Sequence, residues 1–176
     1  MNAANILNYF VKKNIVKTSK KELIVISRLI GSDVILGLNS TNSILNINNK
    51  IRYFKNCQKI YTLIVKPNFG CSTKEIYSGV RKFNKQKYNR FNNKIFDLNY
   101  LKKLDNCLEP IALSKYSKLK TIKLFLESLS KPFFVRMTGS GSALVAYYQS
   151  KDRCENAKKK FNKKYKNYWC IASKTI

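Results

Sequence analysis

The sequence predicts an α+β, two-layer chain: an antiparallel sheet with helices on one face. The main observation is the element order from residue 60, which runs strand, helices, strand, strand, helix, strand. A second is the tight Gly/Ser stretch Thr138-Gly139-Ser140-Gly141-Ser142 between two β-rich runs, the chemistry of a hairpin turn. A third is that residues 1–55 are too helical and too short for a separate stable domain, and read as the end of something larger.

Taken in order, residues 3–16 read as an amphipathic helix on Ala3, Ile6, Leu7 and Phe10. Ser19 and Glu22 form a capping box that opens a second helix, with Leu23, Ile26 and Ile30 as its apolar stripe and Gly31 as its stop. Val34 to Leu38 is a short apolar run. Ser43 to Phe54 alternates loosely around Asn48-Asn49, the pattern of a small β-hairpin. Ile60 to Val65 is a strand, ended by the loop Lys66-Pro67-Asn68-Phe69-Gly70. Ser72 and Glu75 read as a further capping box, opening a helix through Ile76 and Val80.

Residues 81–96 are polar, basic and aromatic, and read as an exposed loop. Leu98–Leu108 and Leu113–Leu129 are expected helices, the second with Leu119, Ile122, Leu126 and Leu129 on one face. Pro132–Met137 and Ala143–Tyr148 are strands flanking the Gly/Ser turn. Ser150 caps a helix with Cys154, Ala157 and Phe161 inward, and Tyr168–Ser173 is the last strand. From residue 60 this is the ferredoxin-like, split βαβ order.

Composition narrows the chemistry. Lys and Arg number 35 against nine Asp and Glu, a net charge of +26. Such an excess attracts polyanions. It also matches compositional drift toward Lys, Asn and Ile, seen in tracts such as Asn84-Lys85-Gln86-Lys87-Tyr88-Asn89-Arg90. Arg, the residue that reads guanine edges and phosphates bidentately, is scarce beside Lys. Histidine is absent, which excludes His-based zinc sites, Ser-His-Asp triads and Cys-His pairs. The five cysteines show no Cys-x-x-Cys spacing and the start carries no secretory pattern, so free thiols in a reducing, cytoplasmic setting are expected. No apolar run approaches the ~20 residues that cross a bilayer.

Three stretches are candidates for chemistry. Asp33, in Gly31-Ser32-Asp33-Val34, follows a helix end and precedes an apolar run; it reads as a base or as a turn-capping carboxylate. Thr138, Gly139, Ser140, Gly141 and Ser142 read as an anion-binding nest or as a plain hairpin turn. Asn2 and Ala3 head the first helix, where free N–H groups attract phosphate, or form a frayed terminus.

In this order the stretches resemble the GHMP family of small-molecule kinases. Met1-Asn2-Ala3-Ala4 is similar to the end of the family's glycine-loop motif, and Ile30-Gly31-Ser32-Asp33-Val34 to its Gly-Ser/Ala-Asp-Val segment. Val65-Lys66-Pro67-Asn68-Phe69-Gly70-Cys71-Ser72-Thr73 resembles the strand, loop and helix that open its C-terminal domain. Asp105-Asn106-Cys107-Leu108-Glu109-Pro110 and Arg136-Met137-Thr138-Gly139-Ser140-Gly141-Ser142 are similar to segments of the family branch acting on diphosphocytidyl-methylerythritol. Cys107 stands where the family usually has Asp. The family's Gly-x-Gly-Glu turn is replaced near Asn48-Asn49-Lys50.

The resemblance implies residues 1–57 as a remnant of the N-terminal, ATP-binding domain and 58–176 as the C-terminal domain. It implies phosphoryl transfer from ATP, with Mg2+, to a hydroxyl of 4-diphosphocytidyl-2-C-methylerythritol, in non-mevalonate isoprenoid synthesis. Asp33 takes the catalytic role, and Asn2, Ala3 and Thr138 to Ser142 neighbour the phosphates; no residue is assigned to a metal. The family's catalytic Lys and Gly-rich phosphate loop have no counterpart in the 176 residues. A chain inactive alone is therefore expected: a truncated or frameshifted gene, or half of a split enzyme whose partner is the missing N-terminal half. Ile6, Phe10, Leu23 and Ile26 are then expected to be exposed. The alternative reading is a basic nucleic-acid-binding module without enzymatic activity, with aromatics and Lys gathered on one sheet face.

Overall fold

The computed structural model describes residues 2–31, 33–46, 48, 50–81 and 92–176. The Asn84–Arg90 tract, Ser32 and Asn49 therefore lie outside the described residues. The chain divides into two compact units, Met1–Cys57 with Ile176, and Gln58–Thr175.

In the first unit, α1 (Asn2–Lys12) stops four residues before the expected end at 16. Asn14 adopts φ 53°, a left-handed conformation that Asn tolerates and that cannot continue a helix. α2 (Lys20–Ile30) opens on the capping box in full: Glu22 N–H donates to Ser19 Oγ at 3.2 Å, and Ser19 N–H donates to Glu22 Oε2 at 2.7 Å. Its stripe differs from the expected one. Ser27 is the buried residue, Leu23 and Ile26 are half-buried, and Ile30 is exposed. Ser27 tolerates burial because its hydroxyl donates to the Ile24 carbonyl at 2.8 Å, within its own helix.

The apolar run after Asp33 forms a 3-10 turn, Val34–Gly37, with Val34 and Ile35 buried. The Asn8 side chain ties α1 to it by donating to the Gly37 and Leu38 carbonyls at 3.4 and 3.3 Å. The hairpin follows as β1 (Asn42–Leu45) and β2 (Ile51–Phe54), antiparallel with Leu45 opposite Ile51. Among the described residues Ala4, Val34, Ile35 and Phe54 are the buried apolar ones of this unit, while Ile6 and Phe10 are exposed.

The second unit contains β3 (Tyr61–Lys66), β4 (Phe134–Met137), β5 (Leu144–Tyr148) and β6 (Trp169–Lys174) in the order β4-β5-β3-β6, all antiparallel. This is the split βαβ sheet that the element order implies. Among the described residues the unit has five helices: α3 (Thr73–Ser78), α4 (Leu98–Leu101), α5 (Glu109–Lys115), α6 (Ser117–Ser128) and α7 (Lys151–Lys164). Leu119, Ile122 and Leu126 of α6, with Leu129 beyond its end, pack with Cys154, Ala157 and Phe161 of α7 over Leu63, Val65, Leu144, Ala146 and Tyr148. Ser150 caps α7, accepting from Arg153 N–H at 3.4 Å.

The helix expected over Leu98–Leu108 ends at Leu101. Asn106 leaves the helical path to bond to the β4–β5 turn, and its Oδ1 accepts from Leu108 N–H at 3.0 Å, closing a local turn. Within 81–96, Asn93–Phe96 form a 3-10 turn and 82–91 lie outside the described residues. No helix among the described residues is long and apolar enough to cross a membrane.

Candidate functional site

The Thr138–Ser142 turn joins β4 to β5. Thr138 N–H donates to the Ala143 carbonyl at 2.9 Å, and Gly141 N–H to the Thr138 carbonyl at 3.0 Å. Gly139 and Gly141 hold φ +55° and +90°, conformations that an L side chain resists. A Cβ on Gly141 would also meet Met137 Sδ at 2.9 Å and Cys71 Sγ at 3.1 Å. Among the described residues, the N–H groups of Gly139 and Ser140 meet no acceptor. The turn is thus a loop braced by its own hydrogen bonds with backbone donors to spare, the property an anion site needs.

Neighbouring elements hold it on every side. The Asn106 side-chain amide donates to the carbonyls of Met137 and Gly139 at 2.9 and 2.8 Å. Thr73 Oγ1, in the first turn of α3, lies 2.9 Å from Ser140 Oγ. Lys66 Nζ, at the end of β3, donates to Ser142 Oγ at 2.9 Å and to the Phe69 carbonyl at 3.0 Å. The Ser142 hydroxyl, 1% exposed, donates to that same carbonyl. Glu109 Oε2 accepts from Met137 N–H at 2.7 Å, while its Oε1 pairs with Lys123 at 3.2 Å. Burial opposes the Lys123 charge, yet Glu127, 2.7 Å away, and Glu109 outweigh it and raise its pKa. Burial raises the Cys71 thiol, an effect that the Lys66 charge partly offsets.

The second capping box is only half formed. Ser72 Oγ accepts from Glu75 N–H at 3.3 Å, but Ser72 N–H donates to the Tyr116 hydroxyl at 2.9 Å, and that hydroxyl donates to Glu75 Oε2 at 3.3 Å. Tyr116 therefore stands between the two partners of the expected box and ties α3 to the start of α6.

A groove of about 370 Å³ is lined by Asp105, Asn106, Arg136, Thr138, Gly139 and Tyr147, among others. Its cation is engaged: Arg136 donates to the Leu101 carbonyl at 2.9 Å and lies 4.6 Å from the centre of the Phe134 ring. Phe134 stacks on Tyr147 at 4.2 Å. Burial raises the Tyr147 hydroxyl's pKa, partly offset by Arg136. Tyr148 and Phe161 are fully buried, and Lys66 of β3 and Arg136 of β4 both donate to backbone carbonyls.

The other candidate residues lie in the first unit. Asp33 is exposed, stands immediately before the 3-10 turn, and accepts Leu36 N–H at its carbonyl at 3.2 Å. Asn2 is the first residue of α1, and Ala3 follows it, half-buried. Through Asn8 the α1 helix and the turn after Asp33 form one piece of structure. Among the described residues no group of three or more His, Cys, Asp or Glu side chains could hold a metal ion. Lys66, Thr73, Asn106 and Glu109 carry no site assignment in the sequence reading. Lys66, Thr73, Asn106 and Glu109 nonetheless fall inside the two segments, 65–73 and 105–110, that carry the family resemblance.

Comparison with known proteins identifies the family and the fold. The family model for the GHMP kinases C terminal matches residues 80–167. The chain is 51% identical over 176 residues to the 4-diphosphocytidyl-2-C-methyl-D-erythritol kinase of Pelagibacter ubique (strain HTCC1062), covering all of this chain and 63% of that protein. It is 32% identical over 167 residues to the enzyme of the same name from Clostridium tetani (strain Massachusetts / E88), covering 90% of this chain and 58% of the other. The chain thus spans less than two thirds of the length of these curated relatives. A crystal structure of 4-(cytidine 5'-diphospho)-2C-methyl-D-erythritol kinase shares the fold, with a TM-score of 0.71 at 18% identity, over 97% of this chain and 62% of that one. The chain belongs to the GHMP kinase family, whose C-terminal region it carries.

Proposed function

We propose that this chain supplies the catalytic carboxylate and a phosphate-site turn for ATP-dependent phosphorylation of 4-diphosphocytidyl-2-C-methylerythritol, a step of non-mevalonate isoprenoid synthesis in the cytoplasm. The observation that carries the reading is the Thr138–Ser142 turn, clamped by Asn106, Lys66 and Thr73 and keeping the Gly139 and Ser140 N–H groups without an acceptor among the described residues. The similarity of the whole chain to the Pelagibacter kinase supports it.

Phosphoryl transfer is mostly positioning and charge stabilisation. Asp33 orients the acceptor hydroxyl and takes its proton. The turn's backbone donors oppose the charge that develops on the transferred group. The N–H groups at the head of α1, at Asn2 and Ala3, face phosphate in the same manner. Magnesium, when bound, neutralises phosphate charge. The described side chains form no cluster of three or more possible metal ligands, so phosphate oxygens and water would supply most of the ion's coordination. Residues 1–57 form part of the N-terminal domain and 58–176 the C-terminal domain. The chain works with the segment that its curated relatives carry beyond the matched region.

An acceptor panel tests this reading. With the chain joined to that remaining segment, ATP-dependent product should form with diphosphocytidyl-methylerythritol. Equal transfer to related alcohols that lack the cytidine diphosphate group would refute the substrate assignment.

A further inference from the structure

We infer that Asn106 is a positioning residue that sets which pole of the Gly139–Ser140 peptide faces the phosphates; this rests on the phosphate-site reading of the turn. In a trans peptide the C=O and N–H point in opposite directions. The Gly139–Ser140 and Met137–Thr138 bonds are both trans. Asn106 Nδ2 draws the carbonyls of Met137 and Gly139 toward itself at 2.9 and 2.8 Å. Thr138 N–H and Ser140 N–H must then point away from Asn106. The first of these finds the Ala143 carbonyl at 2.9 Å, which fixes where that side of the turn lies. The second, with no acceptor among the described residues, is left as a donor for a ligand.

Thr73 anchors the Ser140 side chain and bonds to neither pole of the peptide before it, so beside the Asn106 bond only the preference of the Ser140 backbone for negative φ opposes rotation of that peptide. Gly139 has no Cβ to resist that rotation, and a Cβ placed there would meet nothing within 4 Å. A flipped peptide would present a carbonyl oxygen where a donor is needed, and repel phosphate. Asn suits the task because its amide supplies two N–H donors while its oxygen accepts Leu108 N–H at 3.0 Å. One side chain thus orders its own loop and the turn together.

The test is a titration of the 15N-labelled 176-residue chain with inorganic triphosphate at near-physiological salt, followed by amide NMR. Two neutral variants are compared: N106L, which keeps the shape, and N106S, whose hydroxyl can still accept from Leu108 N–H. In the wild type the Ser140 amide signal should shift and saturate. In both variants that response should weaken about tenfold or more, the loss expected for a hydrogen bond to a charged group, while signals elsewhere in 58–175 keep their dispersion. An unchanged Ser140 response in both variants, or no response in the wild type, would overturn the inference. So would collapse of dispersion throughout 58–175 in both, since Asn106 would then be structural only. A responding Ser140 amide in a protein that transfers no phosphate would leave this inference standing and remove the kinase reading instead.

Discussion

Lys66 donates a 2.9 Å hydrogen bond to the Ser142 hydroxyl, 76 positions away, and so ties the end of β3 to the close of the Gly/Ser turn. The same ammonium holds the Phe69 carbonyl at 3.0 Å, so one side chain fixes the 67–70 loop and the turn together. The Lys66→Met variant keeps the stem and loses the donors. Because the ammonium is solvent-exposed, the stability loss in a denaturant titration should be about 0.5–1.5 kcal/mol. A loss beyond about 3 kcal/mol would mean that the side chain holds more than these contacts.

The two turn glycines should respond differently to alanine. Gly139→Ala meets open space and faces only its positive φ, which costs about 1–2 kcal/mol. Gly141→Ala adds contacts of 2.9 Å with Met137 Sδ and 3.1 Å with Cys71 Sγ, and should lose more. Urea midpoints of the two variants compare them directly. Equal losses would show that the sulfurs yield without cost.

Tyr116→Phe removes the hydroxyl between Ser72 and Glu75. Ser72 N–H then loses its acceptor and Glu75 loses a donor. Hydrogen exchange at the head of α3 should accelerate by about fivefold, matching a loss near 1 kcal/mol. Unaltered exchange would mean that Glu75 turns back to complete the ordinary capping box.

One buried and one half-buried thiol make stability fall at alkaline pH. Burial pushes Cys154 and Cys170 from the ordinary 9.0 up to about 11. A folded pKa above the unfolded one favours the protonated fold, so this contribution is complete below pH 9 and disappears as pH rises through about 11. The melting midpoint should therefore drop across that window, and by less in a Cys154→Ala variant. An equal drop with and without Cys154 would remove this cause.

How much of this was legible in the sequence depends on distance along the chain. The Ser19–Glu22 box spans three positions, so spacing alone identifies it. The Ser72–Glu75 pair has the same spacing, but its box is interrupted by Tyr116, a residue 41 positions from Glu75. The Leu98–Leu108 pattern reads as one helix because nothing local shows Asn106 bonding to residues 31 and 33 positions ahead. The apolar stripe of α2 does not reveal Ser27, whose hydroxyl is satisfied inside its own turn and so tolerates a buried position. The strand order, by contrast, follows the split βαβ element sequence: the short Thr138–Ser142 link makes β4 and β5 antiparallel neighbours, and the helical connections leave β3 to pair with both β5 and β6. Of the site, the Gly/Ser turn was legible by composition. The residues that clamp it were not, since Lys66, Thr73 and Asn106 act through contacts that only the folded sheet creates.

The central claim concerns Asp33, and turnover tests it most directly. ATP-dependent phosphorylation of diphosphocytidyl-methylerythritol should be measured for the 176-residue chain alone, for the chain joined to the remaining segment of the Pelagibacter relative, and for that joined protein carrying Asp33→Asn. We expect no product from the chain alone, clear turnover from the joined protein, and a loss of about 10²–10⁴-fold in the Asp33→Asn form with its melting midpoint preserved. Asp33→Asn turnover equal to that of the unmodified joined protein, or robust turnover by the chain alone, would contradict it.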